Sequence, residues 1–246
     1  MSGVAIKGWC PGALQPMRSG DGLVVRIRPH ASRIDATQAM GIAELAERHG
    51  NGIIDLTNRA NLQIRGVSDA GHLPLIEGLA RLGLVDLDPE TEARRNVLMT
   101  PFWSEGDEIA SVAAELEQAL AAGPAGLPTK FGFAVDCGRE RVLVGASADV
   151  RIERAVTGHL IVRADGAELG RQVTRTEAVD VALALTEWFV GSGGAKGGRG
   201  RMAAHIGAVQ GRPKRFAATP GPRAAKSCPA LEYIRKARCS AWHSGN

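Results

Sequence analysis

Aromatic residues are scarce in this chain: one tyrosine, four tryptophans and five phenylalanines among 246 residues. The core must therefore be built mainly from aliphatic side chains and alanine, and rows of rings for stacking bases are lacking. Cysteine is scarcer. Cys10, Cys137, Cys228 and Cys239 stand far apart, no Cys-x-x-Cys occurs, and no Cys/His set has the spacing of a zinc site. They read as free thiols of a reducing compartment. His30, His49, His72, His159, His205 and His243 show no ligand-like spacing, so no metal ligand is assigned. Long apolar runs are also missing: none approaches the roughly 18 residues that cross a bilayer, and residues 1–8 lack the apolar stretch of a secretory signal. A cytoplasmic protein with no membrane partner is expected.

One region nearly lacks acidic charge. Residues 191–246 hold eleven Lys and Arg against Glu232 alone, a net +10, whereas residues 1–190 sum to −6 and the whole chain to +4. The basic balance is thus a property of the tail. That tail is also without period, with glycine runs at 191–194 and 197–200 and Pro213, Pro220, Pro222 and Pro229 scattered through it. It is expected to be disordered, as a native terminus or as the product of a shifted reading frame.

What is present reads as α+β. Residues 1–22, rich in Gly and Pro, form an extended lead-in, and a strand follows at 23–27. A helix capped by Asp35 runs to about His49, with Gly41 weakening it. Two strands around residues 52–65, a helix over about 70–82 and a closing strand at 84–87 complete the order β-α-β-β-α-β of a ferredoxin-like half-domain over residues 1–87. A second α+β unit spans 88–190. It starts with a connector at 88–103, then a helix over about 108–122. Strands follow near 131–136, 141–144, 150–152 and 158–163, with a hairpin turn at 164–167. A helix from Thr176 to about Val190 ends it.

The chemistry concentrates in Thr57-Asn58-Arg59-Ala60-Asn61-Leu62-Gln63-Ile64-Arg65. Leu62 and Ile64 alternate with Asn61, Gln63 and Arg65. With the apolar face buried, Arg59, Asn61, Gln63 and Arg65 form a rack of guanidinium and amide donors suited to carboxylates or oxyanions. A half-exposed strand showing polar residues to water would give the same pattern, and Asn58 and Asn61 could equally serve the turn backbone.

This run resembles the first anion-binding motif of the nitrite/sulfite reductase superfamily, and within it is most similar to the precorrin-3B synthase family. Cys10-Pro11-Gly12-Ala13 with Ser19-Gly20-Asp21-Gly22-Leu23, then Arg95-Asn96-Val97, then Leu127-Pro128-Thr129-Lys130-Phe131-Gly132-Phe133 agree with it in order. The resemblance implies an oxygen-dependent oxidoreductase of cobalamin biosynthesis that hydroxylates and lactonises precorrin-3A, an acidic tetrapyrrole. It implies Arg59, Arg95 and Lys130 as the cationic catalytic positions, with Arg94 competing for the role of Arg95. Asn58, Asn61, Gln63, Arg65 and Asn96 are implied as binding residues. The family's second lysine, two residues beyond Lys130, is here Gly132, which disfavours a small oxyanion. The family also implies a four-iron, four-sulfur cluster, iron or sirohaem, and an NADH-linked or ferredoxin-like electron donor. Its paired cluster cysteines are not found, so the chain resembles an N-terminal half that lacks a C-terminal partner half. Two other readings stay open: the N-terminal half of a sirohaem-dependent sulfite or nitrite reductase, and a non-enzymatic anion- or nucleic-acid-binding module, the latter disfavoured by the sparse aromatics of the tail.

Overall fold

The computed structural model describes residues 12–86, 88–138 and 140–209, and the backbone of 219–220. Its first unit is a four-stranded antiparallel sheet. Strands β1 (Met17–Ser19) and β2 (Gly22–Ile27) form a hairpin, helix α1 (Ala36–His49) follows, then β3 (Ile54–Leu56), β4 (Leu62–Val67) and helix α2 (Asp69–Arg81). The strand order is β1-β2-β4-β3. Alternation decides the faces: Leu23, Val25, Ile27, Leu62, Ile64 and Val67 turn toward α1 and α2 and make one core with Ile42, Leu45, Leu75 and Leu79.

Local signals account for the two helices. Asp35 accepts from the amide of Gln38 and the Gln38 carboxamide accepts from the amide of Asp35, a capping box that fixes the start of α1. Gly41, expected to weaken this helix, has a packing role. A β-carbon there would lie 2.7 Å from Leu82, and one at Gly78 would lie 2.4 Å from Leu45, so these glycines let α1 and α2 approach.

The closing strand expected at 84–87 is corrected over its described part. Residues 84–86 are not a strand, and the sheet edge beside β2 is filled by β1, a hairpin partner hidden in what reads as lead-in. With that edge taken, Leu84 turns into the core instead. Leu87 lies outside the described residues.

The second unit is a six-stranded mixed sheet. The connector expected at 88–103 contains helix α3 (Pro89–Arg94) and strand β5 (Val97–Met99). Helix α4 (Glu108–Ala121) then leads to β6 (Phe133–Asp136), parallel to β5, and β7 (Val150–Arg154) lies parallel to β6. Strands β8 (Leu160–Ala164) and β9 (Leu169–Val173) continue antiparallel, helix α5 (Ala178–Gly191) and helix α6 (Met202–Ala208) follow, and β10 (Thr219–Pro220) pairs with β9. Helices α4 and α5 cover one face, with Phe131, Phe133, Val150, Ile152, Leu116, Leu185 and Phe189 in the core. The Phe131 ring lies 5.6 Å from that of Phe133 and 5.0 Å from that of Phe189.

Two expectations are revised here. No strand forms at 141–144. The Asp136 carboxylate at the end of β6 accepts from the amides of Val142 and Leu143, and Arg151 donates to the carbonyls of Leu143 and Ala146. These bonds shape a loop over the face opposite the helices, since a strand there would need a neighbour to pair with. The aperiodic tail also begins later than residue 191. Met202 is fully buried in the second core, with Ala195 and Ile206 packed against it. The remainder of the tail, 210–218 and 221–246, is outside the described residues apart from the backbone noted above.

Candidate functional site

The polar turn between β3 and β4 is built by Thr57. Its Oγ1 accepts from the amides of Arg59 (3.4 Å) and Asn61 (3.1 Å), and its own amide donates to the Asn61 carbonyl at 2.9 Å. Ala60 takes a positive φ of 52°, a conformation that non-glycine residues adopt at a cost and that the Thr57 bonds stabilise. Arg59 sits at the tip, half-buried, and its Nη2 donates to Ser147 Oγ at 3.3 Å. Ser147 belongs to the loop before β7. The first unit thus lays its motif arginine against the second.

Around Ser147 lie two further groups. Arg201 donates through Nη1 to Ser147 Oγ (3.0 Å), through Nε to Asp149 Oδ1 (2.9 Å) and through Nη2 to the Ala148 carbonyl (3.1 Å). Asp149 also accepts from the amides of Gly132 (3.0 Å) and Met202 (2.8 Å). Burial pushes the Asp149 carboxyl above its ordinary 3.8, while the Met202 amide and Arg201 hold it down. Lys130, exposed, is two residues before the Gly132 amide that Asp149 grips.

The other expected residues divide from this group. The rack on β4 has the predicted face, but its donors are answered within the protein. The Gln63 carboxamide, oriented by its hydrogen bonds, accepts from Arg26 Nε (3.0 Å) and Nη2 (2.6 Å). Arg65 donates to Asp21 (3.1 Å) and Ser19 (3.1 Å) and pairs with Asp55 at 3.6 Å. Asn58 is exposed and Asn61 buried. A ligand would have to displace Asp21 to reach Arg65. Gln63 and Arg65 thus brace the exposed sheet face.

Arg95 is engaged more fully. Its side chain is 3% exposed and pairs with Asp86 at 2.7 Å and with Glu117 at 3.8 Å, and its Nη2 donates to the Arg28 carbonyl at 2.8 Å. Glu117 also accepts from the amide of Ala31 and meets His30 Nδ1, both at 2.9 Å. Ala31 and Ser32 have positive φ values of 52° and 53°, so Glu117 braces a strained connection between β2 and α1. Arg94, the rival for the role, donates to the carbonyls of Leu120 and Ala121 at the end of α4. Asn96, buried, donates to the Phe131 carbonyl at 2.9 Å. A β-carbon at Gly132 would stand 2.7 Å from that Asn96 amide, so a side chain there requires the Asn96 carboxamide to shift.

A cleft of about 450 Å³ on the far side of the second sheet is lined by Arg141, Arg151, Arg163, Asp165 and Glu168 among others. Its arginines are engaged by carboxylates: Arg163 meets the fully buried Glu153 at 2.7 Å, Arg151 meets Asp165 at 2.6 Å, and Arg141 lies 3.6 Å from Glu153.

Among the described residues no group of three or more His, Cys, Asp or Glu is placed to hold a metal ion. Nor do they fit an iron–sulfur cluster, whose ligands are thiolates. The Cys137 thiol is buried and pushed up to about 12, chiefly by burial. Cys10, Cys228 and Cys239 lie outside the described residues. No described helix is long and apolar enough to cross a membrane.

Comparison with known proteins places the first unit. Residues 15–82 match the nitrite/sulfite reductase ferredoxin-like half domain, the family toward which the motif around Arg59 pointed. The similarity extends further in one curated relative, a precorrin-3B synthase from Sinorhizobium sp., which is 34% identical over 157 residues. The match takes in 61% of this chain and 33% of the relative, so the chain spans about a third of the relative's length. The structure of the Mycobacterium tuberculosis NirA protein superposes with a TM-score of 0.55 at 22% identity, over 79% of this chain and 40% of that one. At that identity it supports the fold alone.

Sequence reasoning singled out Arg59 and Lys130 and gave no sign of Ser147, Asp149 and Arg201, which the structure gathers at the Arg59 head. Arg201 was obscured by its surroundings, Gly197-Gly198-Arg199-Gly200, which carry no period. Helix α6 has no side-chain cap of its own; Asp149, distant in sequence, supplies one to Met202, and nothing local announces it.

Proposed function

We propose that this chain is the anion-recognising N-terminal part of a precorrin-3B synthase-like oxidoreductase, binding an acidic tetrapyrrole through Arg59 with Lys130 nearby. The observation that carries the reading is the meeting of the β3–β4 turn with the loop before β7, Arg59 Nη2 on Ser147 Oγ at 3.3 Å. Asp149, in the same loop as Ser147, accepts from the amide of Gly132, which supports Lys130 as the second cation. The similarity to a precorrin-3B synthase names the class of ligand. A guanidinium grips a carboxylate by two parallel hydrogen bonds, and an ammonium adds a mobile point charge. Both suit peripheral carboxylates of a large macrocycle. The glycine at 132, where the family's second lysine would stand, favours such a ligand over a small oxyanion.

In the complete protein this part would hold and orient precorrin-3A for oxygen-dependent hydroxylation and lactonisation. A redox centre and an electron donor would come from outside the described residues, so no redox step is assigned to them.

The test is a fluorescence titration of the full chain with uroporphyrin III, an octacarboxylate tetrapyrrole. Arg59→Ala is expected to weaken binding about tenfold, or about 1.4 kcal/mol. Unchanged affinity would overturn the reading, and sulfite binding without porphyrin binding would replace it with a reductase-type site.

A further inference from the structure

The geometry points to Ser147 and Arg201 as positioning residues that hold Arg59 in its ligand-binding orientation. This rests on the reading of Arg59 given above and deepens it.

A hydroxyl oxygen has two lone pairs. At Ser147 both acceptor directions are used by guanidinium donors, Arg59 Nη2 at 3.3 Å and Arg201 Nη1 at 3.0 Å. The two arginines come from opposite ends of the chain and meet on one neutral atom. Bringing like charges together is unfavourable unless a counter-charge stands near, and Asp149 supplies it to Arg201 at 2.9 Å.

Arg201 is held without slack. Each of its three guanidinium nitrogens has a partner: Ser147 Oγ, Asp149 Oδ1 and the Ala148 carbonyl. Asp149, fully buried, is fixed in turn by the amides of Gly132 and Met202. A continuous path therefore runs from the Lys130 segment and the start of α6, through Asp149 and Arg201, to Ser147 and the Arg59 head. Ser147 is one of several contacts of Arg59, and the Thr57 bonds fix its backbone. The hydroxyl ties its side chain to the second unit. Such bracing lowers the side-chain entropy lost when a ligand binds. A lysine at 201 would keep the charge but lose the planar three-nitrogen fork.

The experiment is a double-mutant cycle on the full chain with uroporphyrin III as the probe. Ser147→Ala is expected to weaken binding about three- to tenfold. Ser147→Thr, which keeps the hydroxyl, should restore it, and Arg201→Lys should weaken it in the same sense. In the Arg59→Ala background, Ser147→Ala should have no further effect. Wild-type affinity for Ser147→Ala beside a weakened Arg59→Ala would overturn the positioning role while leaving the functional reading intact. An equal loss from Ser147→Ala with or without Arg59 would also overturn it, since the hydroxyl would then touch the ligand itself. Unchanged affinity for Arg59→Ala would overturn the functional reading and this inference together.

Discussion

Arg59 and Arg95 look alike in the sequence, each the cation of a short polar motif, yet the two regions use them in opposite ways. Arg95 is sealed in, its guanidinium shared between Asp86 and Glu117 at 2.7 and 3.8 Å. It joins the connection after β2 to α4. Arg59 stands half-buried at the tip of a turn, where its Nη2 donates to the Ser147 hydroxyl as one of its contacts. A guanidinium held by buried carboxylates contributes through stability, because any ligand must first break those pairs. A guanidinium–hydroxyl hydrogen bond is weaker than a guanidinium–carboxylate pair and can be exchanged for one. The residue type was the same; the difference lies in what the fold places opposite it.

The contrast can be broken most severely at Arg95. Arg95→Ala would leave Asp86 and Glu117 in a largely buried place without their partner, at a cost of about 3–5 kcal/mol. Urea denaturation should show the midpoint falling by most of the native stability. A small change would mean the pairs are no structural joint. A lesser effect is expected from Gly132→Lys, which would push a side chain into the Asn96 amide. Overpacking of this kind costs about 1–3 kcal/mol, and the variant should lose thermal stability without acquiring sulfite binding.

Smaller effects sharpen the comparison at single titrating groups. Cys137, its thiol pushed up to about 12 by burial, should resist iodoacetamide at pH 8 in the folded chain and react in urea, as followed by mass spectrometry of its peptide. Fast labelling under native conditions would contradict the packed second core. Asp21 tests the bracing role of Arg65. The hydrogen bond from Arg65 holds the Asp21 carboxyl below its ordinary 3.8. The stability it contributes is present above that value and is lost as pH falls through the lower, folded-state pKa. An NMR titration should find the midpoint below 3.8 in the wild type and close to it in Arg65→Ala.

Much of the first unit was legible. The alternation of Leu62 and Ile64 with Gln63 and Arg65, the cap at Asp35 and the Thr57–Asn61 turn are local signals, and each formed as expected. The strand at 84–87 failed over its described residues because the edge it would occupy belongs to β1, a competition that a linear reading cannot weigh. In the second unit the helices α4 and α5 were clear from their apolar spacing. The strand read at 141–144 gave way to the Asp136 carboxylate, which holds the amides of Val142 and Leu143 in a loop. At the candidate site, residue types identified the donors but not their partners. Gln63 and Arg65 are answered by Arg26 and by Asp21 and Ser19, which no motif joined to them. Arg201 was hidden because its support, Asp149, is far away in sequence.

One crossed measurement bears most directly on the claim that Arg59 serves a ligand whereas Arg95 serves the fold: urea denaturation and uroporphyrin III titration of Arg59→Ala beside the wild-type chain. The predicted result is an unfolding free energy within about 1 kcal/mol of wild type, the size of one hydrogen bond to a hydroxyl, with affinity about tenfold weaker. A lowered midpoint with undiminished affinity would contradict it and make Arg59 a second structural arginine.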